Sequence, residues 1–265
     1  MENTSEIFQV DAFCQGLFTG NPAGVCPLEH WVPNKIMQDI AAENNLAETA
    51  FFVKSGNQYE IRWFTPVVEV DLCGHATMAA AHVLFNHKGY KEDTITFMSP
   101  RSGELKVTKT GDGLTLDFPV DELKPVNITN EMFHCFKALP IEVYRGKTDY
   151  MFVFPDEGDI VNIHADLTEI AKYKDARGII VTAKGQSADF VSRFFAPQSG
   201  IPEDPVTGSA HTTLTPYWSK KLGKGEMTAL QLSARKGFLK CKNLGERIEI
   251  SGTAKTFMAG KMFLS

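Results

Sequence analysis

Two glycine-led segments carry side chains that can bind an anion or move a proton. Gly74-His75 begins one apolar, helix-like stretch, and Gly208-Ser209 begins another. The first turn of a helix has unpaired N–H groups and a partial positive charge, which favour a carboxylate or a phosphate. An imidazole there can also donate a hydrogen bond or transfer a proton. The segments therefore suit a site for a small organic acid. The alternative is that the glycines serve only to permit tight turns and that His75 only packs against or caps its helix.

Three further residues could take part in proton transfer. Cys73 directly precedes the first glycine, where a thiol can act as a base or nucleophile or can be a small buried residue. Asp204 lies between two prolines and is rigidly placed, either to cap the second helix or to bind an amine or hydroxyl of a ligand. Glu48 lies where a helix passes into an apolar strand. A partly buried carboxylate there can serve as an acid/base, and the alternative is a surface Glu at a strand end.

The chain contains an internal repeat. An R-x-F-x-P pattern that begins at Arg62 returns at Arg193, and Gly74-His75-Ala76 returns as Gly208-Ser209-Ala210. The separation is about half the chain length, and the order of helix, strand, turn, strand and small-residue helix is shared. We therefore predict a duplication.

The repeat predicts two similar halves related by a pseudo-twofold. The expected domains are 1–117, completed by about 255–265, and 118–254. Both helix N-termini would then face one cleft between the halves, a common place for a ligand. The symmetry breaks at Glu48, because the corresponding region of the second half is Arg177-Gly178, without a carboxylate.

Hydrophobic periodicity and turn residues predict an α+β fold. Each half is expected to be a β-barrel-like sheet around a central helix, because the stretch after Gly74 is apolar on nearly every face. Gly20-Asn21-Pro22 is interpreted as a turn. Helices are predicted at 34–44, 75–85, 166–173 and 209–222. Strands are predicted at 6–13, 49–53, 60–64, 94–98, 105–110, 114–118, 150–154, 178–182, 190–195, 247–251 and 256–259.

Composition excludes several classes of protein. The 265 residues are 43% hydrophobic and 22% charged, with a net charge of −5, so nucleic acid is not an expected partner. No apolar run is long enough for a transmembrane helix. Five scattered cysteines predict reduced thiols and a cytoplasmic protein. Metal-ligand patterns and nucleotide-binding glycine motifs are absent from the sequence, so no metal or cofactor is expected.

Four motifs in order resemble one known family. GNPAGV begins at Gly20, NNLAETAFF at Asn44, GHAT at Gly74 and DPVTGSAH at Asp204. Together they resemble the PhzF-like family of phenazine-biosynthesis-type isomerases. The resemblance implies a fold like that of diaminopimelate epimerase and proline racemase, an active site between the halves, a small carboxylate-bearing substrate and a homodimer.

The resemblance also implies roles for individual residues. Glu48 matches the catalytic carboxylate that removes and returns a proton at carbon. His75, Asp204 and Ser209 match residues that hold the substrate and assist proton movement. The expected substrate-binding positions are Gly74, Gly208, Asn21, Cys73 and Thr207.

Three activities stay open at this point. The related racemases use two opposed cysteines, but here only Cys73 has a counterpart, so a proton shift by Glu48 on one face is favoured. An amino-acid racemase or epimerase using Cys73 is the enzymatic alternative. A ligand-binding or interaction protein on the same fold is the other. The family's best-known activity acts on a dihydro-hydroxyanthranilate, but the sequence does not name this protein's substrate.

Overall fold

A computed structural model describes residues 4–111 and 113–264. The strands are β1 (Thr4–Ala12), β2 (Asn21–Leu28), β3 (Glu48–Ser55), β4 (Gln58–Phe64), β5 (Glu69–Val70), β6 (Thr94–Ser99), β7 (Gly103–Thr110), β8 (Gly113–Pro119), β9 (Lys124–Pro125), β10 (Glu142–Arg145), β11 (Asp149–Val153), β12 (Gly178–Lys184), β13 (Phe190–Phe195), β14 (Glu226–Gln231), β15 (Gly237–Asn243), β16 (Arg247–Gly252) and β17 (Ala254–Phe263). The helices are α1 (Asn34–Asn44), α2 (Gly74–His87), α3 (Asn130–Phe136), α4 (Glu157–Asn162), α5 (Leu167–Ile170) and α6 (Ala210–Leu222), with a 3-10 turn at Pro197–Ser199. The predicted α+β class is confirmed.

The chain divides into two compact units. Unit 1 runs to Asp117 and is completed by the segment from Ser251, and unit 2 is Phe118–Ile250. The division therefore falls inside β8 and β16, and it places residues 251–254 with unit 1, where the sequence analysis had placed them in the second half.

The two units share one pattern of strand pairing. In unit 1, β1 is antiparallel to β2, β2 is parallel to β3, β3 is antiparallel to β4, β4 is parallel to β6, and β6 is antiparallel to β7. In unit 2, the strands β10, β11, β12, β13, β14 and β15 repeat this sequence of orientations. The shared pattern supports the predicted duplication.

Each unit has one central helix between its second and third sheet hairpins. Helix α2 contacts β1, β2, β3, β7 and β17, and its small residues Ala76, Ala79 and Ala80 are fully buried. Alanine lets the strands approach the helix axis closely while keeping high helix propensity. Helix α6 contacts β11, β14 and β15, and the Nε1 of its Trp218 donates to Thr182 Oγ1 on β12 at 2.9 Å.

The repeated arginines make the same local interaction in both units. Arg62 pairs through two nitrogens with Glu69 and lies 5.2 Å from the centre of the Phe64 ring. Arg193 pairs in the same way with Glu203 and lies over a phenylalanine ring on its own strand. A bidentate guanidinium fixes the loop that follows the strand and precedes the central helix. The R-x-F-x-P repeat is therefore a device that positions the helix N-terminus.

Several sequence predictions of local structure were wrong. Gly20-Asn21-Pro22 was interpreted as a turn, but Asn21 and Pro22 begin β2, since proline is tolerated near the start of a strand. The helix predicted at 166–173 is confined to Leu167–Ile170. Strands β5, β9, β10, β14 and β15 and helices α3 and α4 were not predicted, although β14 shows the period-2 burial of a half-buried strand. In the described part of the chain, no helix is long and apolar enough to cross a membrane.

Candidate active site

Unit 1 brings a buried carboxylate and a buried imidazole together. Glu48 is the first residue of β3, and His75 is the second residue of α2. The side chains meet with His75 Nε2 3.3 Å from Glu48 Oε2. Glu48 is 8% exposed and His75 is 3% exposed, so both are largely withdrawn from water. A carboxylate and an imidazole at this distance can share or pass a proton.

The neighbours of His75 define its protonation state. Asn21 Nδ2 lies 3.1 Å from Nδ1 and donates to it, because an amide N–H₂ can only donate. Nδ1 is then an acceptor, and the ring proton of neutral His75 is on Nε2, which faces Glu48. Burial lowers the pKa of His75 to about 3. His75 is therefore a neutral hydrogen-bond donor at physiological pH.

The predicted substrate-binding residues Asn21 and Cys73 both lie on the Nδ1 side of His75. Asn21 is fully buried, and Cys73 Sγ is 3.5 Å from Nδ1. Cys73 occupies the position before α2, where its side chain makes no capping hydrogen bond. The observed contact of both residues is with the imidazole, so they orient His75, and direct contact with a substrate stays a prediction.

Within the described part of the chain, Glu48, Cys73 and His75 form a group that could hold a metal ion. Their ligand atoms lie within 4.8 Å of one another. Glu48 faces Nε2 of the imidazole, whereas Cys73 faces Nδ1. A histidine binds a metal through one nitrogen, along the lone pair in the ring plane. Because the two residues face different ring nitrogens, this arrangement suits proton transfer better than coordination of one ion by all three.

Unit 2 holds its predicted site residues in the loop before α6. Asp204 Oδ2 accepts a hydrogen bond of 2.6 Å from Thr207 Oγ1, so it does not cap the helix from this atom. Gln231 on β14 donates from Nε2 to the Asp204 carbonyl and accepts from the Thr207 N–H, both at 2.8 Å. His211 Nδ1 donates to the Thr207 carbonyl at 2.9 Å. These bonds fix the loop that leads to Gly208.

Ser209 has a partner that the sequence analysis did not place in the site. Arg177 Nη1 donates to Ser209 Oγ at 2.9 Å. Arg177 also binds the carboxylate of Asp149, which is 1% exposed, through Nε and Nη2.

Gln231, Arg177 and Asp149 are therefore the supporting residues that were missed. Arg177 had been noticed only as the place where the repeat breaks. Gln231 and Asp149 lie on strands, and no local sequence motif predicts which residues they contact.

The buried histidines predict acid destabilisation. The pKa of His211 is lowered to about 4 and that of His75 to about 3, both through burial. The unfolded chain, with an ordinary histidine pKa near 6.5, binds more protons below that value, so stability falls as pH decreases. We expect each residue to cost about 1.5–2 kcal/mol of unfolding free energy between pH 7 and pH 5. Urea unfolding at the two pH values measures this, and a His211→Gln variant that shows the same pH dependence as the wild type would contradict it.

The comparisons with known proteins agree with this fold. The solved structure of a hydroxyproline epimerase from Agrobacterium vitis covers all of this chain and 94% of its own, with a TM-score of 0.60 at 10% identity. At that identity it shows the fold alone, which is an epimerase-type α+β fold.

A family model described as phenazine biosynthesis-like protein matches residues 10–260. An uncharacterised isomerase of Pseudomonas aeruginosa is 48% identical over 97% of this chain and 98% of its own length. The crystal structure of a PhzF-family protein from Enterococcus faecalis superimposes with a TM-score of 0.95 at 46% identity, over 98% of this chain and all of that one. The chain belongs to the phenazine biosynthesis-like, or PhzF, family. The predicted family and isomerase class are confirmed.

Proposed function

We propose that this protein is an isomerase that moves a proton between carbon atoms of a small carboxylate-bearing substrate, with Glu48 as the acid/base. The observation that carries the proposal is the buried carboxylate of Glu48, 3.3 Å from the Nε2 of a neutral His75. A carboxylate in a water-poor site is a suitable base for a C–H proton, because few water molecules compete for it.

The reaction can be written with this chain's residues alone. The Glu48 carboxylate takes a proton from a carbon next to an unsaturated or carboxyl-bearing group, and the C–H electron pair enters that conjugated group. His75 Nε2–H donates a hydrogen bond to the negative charge as it develops. The carboxylic acid of Glu48 exchanges its proton with solvent and then gives a proton to another carbon, so the electron pair forms the new C–H bond. No atom is gained or lost.

The residues of unit 2 support a carboxylate-bearing substrate. Ser209 lies at the start of α6 with a hydroxyl that can donate a hydrogen bond, and the hydrogen bonds of Asp204, Thr207 and Gln231 fix the preceding loop. We propose that this segment binds the carboxylate. The sequence predicts that this carboxylate belongs to the same substrate from which Glu48 removes a proton, and this stays a prediction.

A racemase or epimerase that uses Cys73 is the second candidate. It is favoured by one observation, the position of Cys73 Sγ 3.5 Å from His75 Nδ1. The corresponding position before Gly208 in unit 2 is Thr207, which is not a thiol. Unit 2 therefore lacks the second thiol that a two-cysteine racemase mechanism requires at this position.

Deuterium incorporation tests the proposed function directly. The wild-type protein is incubated in D₂O with dihydro-hydroxyanthranilate and with a panel of amino acids, and substrate and product are followed by NMR. We expect label at a carbon of a conjugated carboxylate and a product with a shifted double bond. Label only at the α-carbon of an amino acid, with loss of optical activity, would contradict the proposal and favour the second candidate.

We further propose that the protein is a homodimer through β17. Phe257 and Met258 are neighbours on this strand, where its pairing with β1 is irregular, and each is 46% exposed. Phe263 is 71% exposed, and exposed Phe18 packs edge-on against Phe257 at 5.8 Å. A strand with this much exposed apolar surface is prone to associate unless a partner covers it.

A charge in β17 should separate the dimer. We expect the wild type to have twice its chain mass in light scattering, and Met258→Glu to run as a monomer of 29.4 kDa. The control is Val161→Glu, which places the same charge at another exposed apolar position, in unit 2. A monomeric wild type, or a Met258→Glu variant that stays dimeric, would contradict the proposal.

We also propose a cytoplasmic location, since all five cysteines are free thiols.

A further inference from the structure

The internal repeat locates the part of unit 2 that corresponds to Glu48. Glu48 is the first residue of β3 and lies opposite Ala23 of the parallel strand β2. Gly178 is the first residue of β12 and lies opposite Asp149 of the parallel strand β11. In unit 2, the position of the proposed catalytic acid is thus a glycine.

The place of that missing side chain is filled by an aromatic ring. A Cβ atom on Gly178 would lie 2.6 Å from Cζ of Phe194 and 2.7 Å from the carbonyl oxygen of Phe195. The guanidinium of Arg177, one residue earlier, stacks 5.0 Å from the centre of the Phe194 ring. Unit 2 therefore presents an arginine at the place where unit 1 presents an acid.

Arg177 contacts the residue that corresponds to His75. Ser209 follows Gly208 as His75 follows Gly74. Arg177 Nη1 lies 2.9 Å from Ser209 Oγ. The carboxylate–imidazole pair of unit 1 is thus replaced in unit 2 by a guanidinium–hydroxyl pair, which offers hydrogen-bond donors instead of a base.

Arg177 is held firmly in this position. Its Nε donates to Asp149 Oδ1 at 3.0 Å and its Nη2 donates to Asp149 Oδ2, while Thr148 Oγ1 donates to Oδ2 at 3.1 Å. Because the carboxylate of Asp149 is almost completely buried, this bidentate pair leaves Arg177 little rotational freedom. The direction of Nη1 toward Ser209 is consequently fixed.

The Ser209 hydroxyl does not cap helix α6, although Ser209 is at the N-cap position. Ser209 precedes α6, where serine usually accepts a hydrogen bond from the helix, but its side chain makes no capping bond. Its oxygen accepts from Arg177, which cannot accept a hydrogen bond in return. Among the residues that the structure describes, no protein acceptor takes the hydroxyl hydrogen. Since Ser209 is only half-buried, that hydrogen can reach a ligand.

We infer that Arg177, fixed by Asp149, is a positioning residue that holds the Ser209 hydroxyl as a donor to an anionic oxygen of the bound ligand. The inference rests on the proposed function in taking that oxygen to be a carboxylate oxygen. Lysine at position 177 can keep an ion pair with Asp149, but it lacks the planar fork that reaches Asp149 and Ser209 together. Replacing Arg177 by Lys should therefore release Ser209 while the buried charge stays paired.

The test is a double-mutant cycle with anthranilate, a planar carboxylate that cannot undergo the proton shift and whose fluorescence reports binding. We expect Arg177→Lys and Ser209→Ala each to weaken binding about tenfold, as for loss of one charge-assisted hydrogen bond. In the Ser209→Ala background, Arg177→Lys should have no further effect. A purely structural role of Arg177 would weaken binding equally in both backgrounds.

The matched control is Lys221→Arg, which also exchanges one cation for another where the side chain pairs with a carboxylate, that of Glu142, and lies over an aromatic ring, that of Tyr217. Lys221 lies in the last turn of α6, at the opposite end of the helix from Ser209. This variant should bind anthranilate within twofold of the wild type. If Arg177→Lys does not fold, the double variant Arg177→Gln/Asp149→Asn, which removes both charges together, takes its place in the cycle.

Two results would overturn the inference: equal loss of affinity in both backgrounds, or a wild-type protein that does not bind anthranilate. Failure of the proposed function would give a different result, which is seen in deuterium incorporation and not in anthranilate binding. Glu48→Gln should abolish deuterium incorporation and leave anthranilate affinity within twofold of the wild type. A wild type that shows the expected cycle but incorporates no deuterium would refute the isomerase and leave the assignment of Arg177 standing.

Discussion

Replacing Glu48 by Gln is expected to slow deuterium incorporation by about 10³-fold, within the range for loss of a general acid/base. Glutamine has nearly the same volume, so the start of β3 should keep its packing. Its amide cannot accept the proton that a carboxylate takes. Because Glu48 is 8% exposed, few water molecules can replace it as the base.

Two further variants make this result specific. Glu48→Asp keeps the carboxylate but withdraws it by about one bond length, so we expect an intermediate loss of about 10²-fold. Glu60→Gln is the control, because Glu60 is a part-buried carboxylate of the same unit that accepts a 2.7 Å bond from Trp31 Nε1. It should keep full activity. Retention of more than a tenth of the rate by Glu48→Gln would show that another group is the base.

The second large effect is expected at His75. His75→Asn removes the Nε2–H that faces Glu48, and we expect a loss of about 10²-fold in exchange rate, as for removal of one donor to a developing anion. His75→Gln can place an amide N–H near the same position and should lose less. The pKa of His75 is lowered to about 3 by burial, so its titration should add no inflection to the rate between pH 5 and pH 8.

A histidine of the same helix provides the control. His82 Nε2 lies 2.9 Å from Thr256 Oγ1, on the part of α2 that contacts β17. His82→Gln should keep the exchange rate within about threefold of the wild type, the scatter expected of a structural change outside the site. An inflection near pH 6.5 that disappears in His75→Gln would contradict a neutral His75.

The sequence predicted the fold where its pattern repeats. Helix α1 was predicted with its observed bounds, and the apolar stretch after Gly74 is the buried helix α2. The R-x-F-x-P pattern identified the same strand in both units because the arginine makes the same ion pair in each. Strand β2 was missed because Asn21, Pro22 and Gly24 all disfavour strands locally, and burial against its neighbours overrides that preference.

The sequence predicted the site through short motifs and missed the residues that support them. Glu48 and His75 belong to two separate motifs, and β3 and α2 bring their side chains together. Arg177 and Asp149 reach Ser209 through contacts between β11, β12 and the start of α6. Such contacts depend on strand register, which one sequence does not determine.

The most direct test of the central claim is deuterium incorporation by the wild type, Glu48→Gln and Cys73→Ser, compared side by side by NMR. The account predicts that Cys73→Ser incorporates label within about threefold of the wild type and gives the same isomer, while Glu48→Gln incorporates almost none. Label lost in Cys73→Ser but kept in Glu48→Gln would show that the thiol is the base, and the single-carboxylate isomerase would have to be abandoned.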